Sequence, residues 1–199
     1  VGEDGASHQA LEDISLMRGL PNMTVIVPGD YEQMCQAVKY ASECKGPVYI
    51  RSSRMSVPDV FDKDYKFDIN KAVILKEGSD VTLFTCGDIL AEVIKASEIL
   101  ETQGVQAEVI NIPVIKPLDT ESIIKSANKT KLAVTIEDHS IIGGLGSAVC
   151  ETLAENSPCK VLRIGVNDRF GQSGTPAELL KFYGLDAESI AKKVIELKK

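Results

Sequence analysis

The 199-residue sequence has no apolar run that approaches the roughly 18 residues of a membrane-spanning helix, so a bilayer-spanning function is excluded. Its first residues, Val1 to Asp4, have neither the basic nor the apolar segment of a signal peptide. Because the chain does not begin with Met, we expect a processed or truncated polypeptide. The composition, 44% hydrophobic and 26% charged, is ordinary for a globular protein.

Clustered positive charge is also lacking. The 22 Lys and Arg residues are dispersed among 29 Asp and Glu residues, which gives a net charge of −7. Binding to a nucleic-acid backbone needs clustered cations that neutralise several phosphates at once. We therefore expect no nucleic-acid partner and no membrane partner, and we interpret the acidity as an aid to solubility.

Cysteine pairs at the C-x-x-C spacing are missing as well. The odd number of five cysteines, spread singly along the chain, fits neither a disulfide framework nor a zinc site. Isolated thiols of this kind are typical of a reducing compartment, so we expect a cytoplasmic protein.

The hydrophobic pattern predicts an α/β fold in two units. In the first unit, residues 1–58, a helix (8–18), a strand (24–27), a helix capped by Asp30 with Gln33 in a capping box, and a strand (48–51) alternate. Residues 59–70 are polar with scattered aromatics and are expected to form an ordered surface linker. The second unit covers residues 71–199. Its predicted strands are 81–85, 107–112, 132–136 and 160–164, and its predicted helices are a helix after Leu90 ending at Gly104, 120–127, 147–155 and one capped by Thr175. This alternation predicts a mainly parallel sheet covered on both faces.

The N-terminal stretch G-E-D-G-A-S-H-Q is the first candidate site. Asp4 and His8 lie on a turn that enters a helix, where polar groups can face a ligand. A carboxylate and an imidazole four residues apart can hydrogen-bond sugar hydroxyls and move protons. The alternative is a capped helix start with a surface histidine.

Two arginines after the strand at 48–51 form the second candidate site. Arg51 and Arg54 follow the end of a buried strand, the position at which open α/β sheets bind ligands. The planar guanidinium suits phosphate because it donates two hydrogen bonds at once. The alternative is a pair of solvated side chains in a loop.

Two glycine-containing segments in the second unit are less specific. In E-D-H-S-I-I-G-G-L-G-S, residues 137–147, an acidic strand end precedes a glycine turn and a helix. Glycine turns can bind anions, but the acidic end disfavours phosphate, so we expect Gly143 to Gly146 to form a structural turn with close strand–helix packing. A nucleotide site there stays open. The segment N-D-R-F-G-Q-S-G, residues 167–174, is expected to make a subunit or domain contact.

Longer motifs resemble the transketolase family. G-E-D-G-A-S-H-Q, A-L-E-D-I-S-L-M-R-G-L-P-N-M-T-V-I-V-P-G-D and G-P-V-Y-I-R-S-S-R resemble its pyrimidine-binding domain. E-D-H-S-I-I-G-G-L-G-S-A-V and D-R-F-G-Q-S-G-T-P-A-E-L resemble its C-terminal domain. The motifs are collinear and cover essentially the whole chain. The resemblance implies a partial pyrimidine-binding domain over 1–58, a linker over 59–70, and a three-layer α/β/α C-terminal domain over 71–199.

The resemblance also implies a chemistry. Transketolases use thiamine diphosphate and magnesium to move a two-carbon unit from a ketose phosphate to an aldose phosphate. By this resemblance Asp4 and His8 contact substrate hydroxyls near the reacting carbons. Arg54 binds the sugar phosphate, and Arg51 is a weaker second candidate. The C-terminal domain contributes mainly to dimer contacts.

Part of the family's domain set has no counterpart in this sequence. The catalytic Glu and aromatic residues of the pyrimidine domain, and the whole pyrophosphate-binding domain with its magnesium ligands, lie outside it. We therefore expect an N-terminal transketolase section as partner, a homo-oligomer, no cofactor on this chain alone, and no activity alone. A sheet that lacks strands is expected to be poorly buried or to pair with another chain. Alternatives are the synthase that joins pyruvate to glyceraldehyde phosphate and a non-catalytic dimerisation module.

Overall fold

A computed structural model describes residues 3–54 and 56–198 and confirms the α/β class. The strands in these ranges are β1 (Thr24–Ile26), β2 (Val48–Ile50), β3 (Val73–Lys76), β4 (Val81–Thr85), β5 (Ala107–Asn111), β6 (Val114–Lys116), β7 (Leu132–Ser140) and β8 (Lys160–Val166). The helices are α1 (Asp13–Gly19), α2 (Tyr31–Glu43), α3 (Leu90–Thr102), α4 (Thr120–Thr130), α5 (Leu145–Asn156), α6 (Pro176–Tyr183) and α7 (Ala187–Lys198). None of the helices in the described ranges is long and apolar enough to cross a bilayer.

The main sheet has the strand order β3-β5-β4-β7-β8. Strands β5, β4, β7 and β8 are parallel, and β3 adds an antiparallel edge. Successive side chains of β4 point to opposite faces, as the pleat requires. Val81 and Leu83 pack with α3 and α7, whereas Phe84 packs with α4 and α5. The result is the three-layer arrangement expected from the pattern.

A second sheet joins the two units. Its order is β2-β1-β6, in which β1 pairs with β2 in parallel and with β6 in antiparallel orientation. Strand β6 comes from the second unit, so the same chain covers one edge of β1. Val25 and Ile26 are fully buried, whereas β2, at the other edge, is only half-buried throughout. The incomplete sheet is thus paired within the chain on one side and open at β2 on the other.

The helix predicted over 8–18 is wrong in its first half. The structure has a 3₁₀ turn over Ala6–His8, an extended Gln9, a bend at Leu11 and Glu12, and α1 only from Asp13. The Leu11 carbonyl accepts a hydrogen bond from Ser140 N–H at the end of β7. This contact with the second unit replaces the helical partner that local propensity alone predicts.

The predicted helix caps are largely confirmed. Asp30 caps α2 by accepting the N–H of Gln33, but the Gln33 side chain accepts from Gly29 N–H instead of closing the predicted box. Thr175 and Glu178 form the complete capping box of α6.

The segment between the units crosses the surface of α2. The second carboxylate oxygen of Asp30 accepts the N–H groups of Val60 and Phe61. Gln33 and Gln36 donate hydrogen bonds to the hydroxyl and the carbonyl of Tyr65. The crossing is therefore ordered by α2.

Candidate functional site

The N-terminal turn holds the first two predicted site residues. Gly5, at φ 81°, reverses the chain in the left-handed region that glycine favours, and the 3₁₀ turn of Ala6–His8 follows. The N–H of His8 donates to the Gly5 carbonyl at 3.1 Å, and the His8 Nδ1 lies 3.0 Å from Ser7 Oγ. The turn thus presents Asp4 and His8 at the surface on one short segment.

Arg54 reaches this turn from the other end of the first unit. Its side chain follows β2 and forms an ion pair with the Asp4 carboxylate, 50 positions away in the sequence. The Arg54 side chain is 64% exposed and that of Asp4 is 36% exposed. Because solvent reaches both groups, a ligand can reach them too. The structure therefore brings Asp4, His8 and Arg54 to one surface region.

Arg51 lies apart from this region in a buried ion network. Its Nε donates to Asp13 Oδ2 at 3.1 Å, and its Nη1 donates to Asp138 Oδ1 at 2.6 Å. Its Nη2 donates to the carbonyls of Ala10 and Asp138. The Arg51 side chain is 13% exposed. Nearly all of its donors already have partners within the chain.

Burial sets the electrostatics of this network. Withdrawal from water raises the pKa of Asp138 well above its usual range, and the neighbouring Asp88 carboxylate raises it further while Arg51 opposes both. The two carboxylates Asp138 and Asp13 raise the pKa of Arg51 despite its burial. Burial, with a hydrogen bond to Asp13 at 2.6 Å, raises the pKa of Tyr49 to about 12. Arg51 is held permanently charged between units.

The topology explains why Arg51 is buried there. From β4 the chain continues to β5, which lies on one side of β4, and then through α4 to β7, which lies on the other side. The carboxyl ends of β4 and β7 therefore form a topological switch point. Open α/β sheets bind ligands at such crevices. Here Asp88 follows the end of β4, Asp138 lies near the end of β7, and Arg51 of the first unit lies close to both. The crevice of the second unit serves as a docking point for the first.

The glycine turn after β7 is filled from within the chain. Fully buried Glu137 accepts the N–H groups of Leu145 and Gly146 at 2.7 and 2.9 Å, at the start of α5. Burial raises the pKa of Glu137 to about 7, although these two hydrogen bonds lower it. Its carboxylate occupies the amides that a phosphate would use. The expectation of a structural turn with close strand–helix packing fits this geometry, and a nucleotide site here is disfavoured.

His139 completes the contact between β7 and the first unit. Its Nδ1 hydrogen-bonds the Ser140 carbonyl at 2.6 Å, so Nε2 is free to accept from Ser15 N–H in the first turn of α1 at 3.4 Å. Burial lowers the pKa of His139, which favours this neutral tautomer. Glu137, Asp138 and His139 therefore bind three different elements.

A metal site is not formed by the described residues. Within 3–54 and 56–198, no three His, Cys, Asp or Glu side chains are grouped so that they could hold an ion. A diphosphate that binds through magnesium finds no ligand set in this part of the chain. The described residues therefore do not fit the metal end of a thiamine diphosphate site.

Several residues around the site had no signal in the sequence. Asp13 and Asp138 are ordinary surface-type residues in the pattern, yet they fix Arg51. Gln9 hydrogen-bonds the Gln172 carbonyl at 3.0 Å, 163 positions away. The family motifs contain Gln9 and Gln172, and the expected contact segment 167–174 contains Gln172, but neither signal indicates that the two residues pair.

Two family descriptions match the chain. Residues 1–60 match "Transketolase, pyrimidine binding domain", and residues 70–190 match "Transketolase, C-terminal domain". Together these matches cover most of the sequence.

Individual relatives give the same picture. A protein of Methanocaldococcus jannaschii provisionally described as a transketolase C-terminal section is 49% identical over 98% of this chain. The 6-deoxy-6-sulfo-D-fructose transketolase subunit of a Clostridium species is 41% identical over 98%. The chain spans 62% and 60% of the lengths of these two relatives. A 1-deoxy-D-xylulose-5-phosphate synthase of Caldanaerobacter subterraneus is 37% identical over 98% of the chain, which spans 32% of that enzyme.

A solved structure agrees with the fold. A chain of a split-gene transketolase, described as an inactive beta4 tetramer, superposes with a TM-score of 0.93 at 48% identity. The match covers 96% of this chain and 63% of that one.

Proposed function

The chain belongs to the transketolase family, and we propose that it is the C-terminal section of an enzyme that transfers a two-carbon ketol unit between ketose and aldose phosphates. Thiamine diphosphate, the cofactor of the family, supplies the nucleophilic carbon when the complete enzyme binds it. We assign residues 1–58 to part of the pyrimidine-binding domain, 59–70 to the linker, and 71–199 to the C-terminal domain.

One observation carries the proposal: the contact between Asp4 and Arg54. It brings a group suited to sugar hydroxyls next to a group suited to a phosphate. A phosphosugar that binds here would part this ion pair, with its phosphate on Arg54 and a hydroxyl on Asp4. The sulfonated sugar in the name of the Clostridium relative also carries an anion, which a guanidinium can bind by the same geometry.

Each residue has a distinct proposed role. Arg54 binds the phosphate through charge-assisted hydrogen bonds, for which its exposed guanidinium exchanges the Asp4 carboxylate for the phosphate. Asp4 accepts hydrogen bonds from substrate hydroxyls, and His8 donates or accepts a proton there. Arg51 was the second phosphate candidate; its partners Asp13 and Asp138 support a docking role instead.

The remaining parts of the site are proposed to come from another polypeptide. An N-terminal transketolase section would supply the magnesium ligands and the rest of the cofactor site, and the assembly would be oligomeric. This chain alone is proposed to be inactive and free of cofactor; the inactive beta4 tetramer of the split-gene relative supports that view. The five free cysteines support a reducing, cytoplasmic setting.

Substitution of Arg54 tests the proposal. In the complete enzyme, Arg54→Ala should raise the KM of a phosphosugar about tenfold to a hundredfold, since a hydrogen bond to a charged group contributes about 1.5–3 kcal/mol. The KM of the same sugar without phosphate should not change. Lys192→Ala, which removes an exposed charge from α7, is the matched control. An unchanged phosphosugar KM would remove Arg54 from the site.

The choice of donor separates the two enzyme candidates. The match to a 1-deoxy-D-xylulose-5-phosphate synthase supports the alternative function, that of the synthase that joins pyruvate to glyceraldehyde phosphate. Ketose phosphates and pyruvate should be assayed as donors, side by side, with the complete enzyme. We expect it to use ketose phosphates as donors and not pyruvate. Measurable turnover by this chain without a partner would contradict the proposed division of the site, and failure to activate any partner would favour a dimerisation module.

A further inference from the structure

A loop of the second unit, residues 167–174, packs against the turn that carries Asp4 and His8. The loop begins after β8 and ends at the capping box of α6. Tyr183 of α6 donates its hydroxyl to the Phe170 carbonyl at 3.0 Å, which fixes the middle of the loop. The loop is therefore held at its start, its centre and its end by the second unit.

The loop meets the residue after the turn, Gln9, at Gly171. A Cβ added to Gly171 would lie 1.9 Å from Gln9 Oε1 and 3.2 Å from Gln9 Cβ. The next residue, Gln172, accepts a hydrogen bond from Gln9 Nε2 at 3.0 Å through its carbonyl. The Gln9 carboxamide thus occupies space beside the loop that is open only because residue 171 lacks a side chain.

A second contact lies one residue beyond Asp4. A Cβ added to Gly5 would lie 2.9 Å from Ser173 Oγ. The loop therefore contacts the turn on both sides of Ala6–His8, at Gly5 and at Gln9. A short 3₁₀ turn with no buried residue has little packing of its own to hold it in place.

We propose that loop 167–174 positions the substrate-binding turn, and that Gly171 and Gln9 are its positioning residues. The proposal rests on the proposed function, because it assumes that Asp4 and His8 act on the substrate. It gives the second unit a part in the reaction without a residue that touches the substrate. The second unit sets the place of the turn, and the turn presents the reacting groups.

Gly171→Ala is the variant that tests this. The methyl group must displace the Gln9 carboxamide from the loop and break its hydrogen bond to the Gln172 carbonyl, which removes a contact that holds the turn. The kcat/KM of the complete enzyme should therefore fall by on the order of tenfold to a hundredfold, as for other small misplacements of reacting groups. Gly19→Ala is the matched control, because no atom lies within 4 Å of a Cβ added there. It should leave kcat/KM unchanged.

Hydrogen exchange separates this proposal from the proposed function. In this chain, the amides of His8 and Gln9 donate to the carbonyls of Gly5 and Ala6, so their exchange reports whether the turn is formed. Gly171→Ala should speed exchange in the peptide 3–12, whereas Gly19→Ala should not. Faster exchange with unchanged activity would sink the role of Asp4 and His8, whereas unchanged exchange and unchanged activity would overturn the positioning role of the loop.

A double variant checks that the effect passes through Gln9. In a Gln9→Ala background the carboxamide is gone, so adding Gly171→Ala should change kcat/KM by less than twofold. Full additivity of the two substitutions would mean that Gly171 acts by another route and would refute Gln9 as the contact.

Discussion

Arg51 and Arg54 are three positions apart and have the same side chain, yet their surroundings differ completely. The Arg54 side chain is 64% exposed and meets one carboxylate at the surface. The Arg51 side chain is 13% exposed and joins Asp13 of α1 to Asp138 of β7. The residue pattern alone does not distinguish the two, and the family resemblance makes Arg54 the phosphate ligand and Arg51 a weaker second candidate. What distinguishes them is which carboxylates the fold brings near, and those carboxylates lie 38 and 87 positions from Arg51.

This difference predicts opposite outcomes for two matched substitutions. Arg51→Ala should lower the free energy of unfolding by about 1.5–3 kcal/mol, because the largely shielded carboxyl groups of Asp13 and Asp138 lose their charge-assisted hydrogen bonds. Arg54→Ala, at an exposed position, should stay within about 0.5 kcal/mol of the parent chain. Urea unfolding of both variants measures this. Equal stability of the two variants would mean that the network does not hold the units together.

At the scale of elements, the prediction succeeded where local signals agree. Strand β4 has the predicted limits, and the capping box of α6 is present. Helix α7 is absent from the sequence prediction, although Ile190 and Val194 at helical spacing do indicate a helix. Strands β3 and β6 went unpredicted because both are short, and β6 stands between two prolines.

Strand β7 shows why local signals fail at the site. It was predicted to end at residue 136, but it continues to Ser140 through Glu137, Asp138 and His139. Charged residues in succession are typical of a loop. They continue the strand here because α5, Arg51 and α1 each bind one of them. No local pattern contains those partners.

The Glu137 carboxylate fills the space at the start of α5, so a single added methyl group should have a large effect there. A Cβ added to Gly144 would lie 2.1 Å from Glu137 Oε2 and 2.7 Å from His139 Nδ1. Gly144→Ala should therefore lower the free energy of unfolding by about 2–3 kcal/mol through overpacking. Gly19→Ala, in open space at the end of α1, should cause no loss, since alanine is favoured over glycine in a helix. Thermal or urea unfolding of the two variants measures this difference. An unchanged free energy of unfolding for Gly144→Ala would mean that Glu137 can move away from the added methyl group.

Glu137 also predicts a pH dependence. The pKa of Glu137 rises from 4.5 in the unfolded chain to about 7 in the folded protein. The free energy of unfolding is therefore highest, as far as Glu137 decides it, below pH about 4.5. It falls by about 3 kcal/mol as the pH rises to 7, because the folded protein holds the proton more tightly. His139 acts in the opposite sense, because its lowered pKa removes stability as the pH falls. Comparing the parent with Glu137→Gln isolates Glu137. Between pH 4.5 and 7 the free energy of unfolding of the parent should fall by about 3 kcal/mol relative to that of Glu137→Gln. If the two proteins showed the same dependence of stability on pH, the pKa shift of Glu137 would be excluded.

At the scale of the whole molecule, the two predicted units share one hydrophobic core. Ile14 of α1 and Val25 of β1 belong to the same buried cluster as Phe84 of β4 and Ala133 of β7. Strand β6 of the second unit pairs with β1 of the first. The motifs of the sequence located the candidate residues Asp4, His8 and Arg54, but the contacts between units join residues too distant in sequence to leave a periodic signal.

A shared core predicts that the chain unfolds in a single step. If the units were independent, a cavity in the first would leave the stability of the second unchanged. Ile14→Ala removes a fully buried side chain of the first unit and should lower the free energy of unfolding by about 2–5 kcal/mol. Because the cluster continues into the main sheet, the opening free energy of the slowest-exchanging amides should fall by the same amount in β4 as in β1.

Leu83→Ala provides the reciprocal control. Leu83 is fully buried on the α3 and α7 face of β4, in the cluster away from the first unit. In a single cooperative unit, its loss should lower the global opening energy of the β1 amides as much as that of the β4 amides. Hydrogen exchange at rising urea concentrations measures both sets in one sample. Protection lost in β4 alone after Leu83→Ala, with β1 unaffected, would show that the first unit folds on its own and that its contacts with β6 and β7 are a docking surface between independent domains.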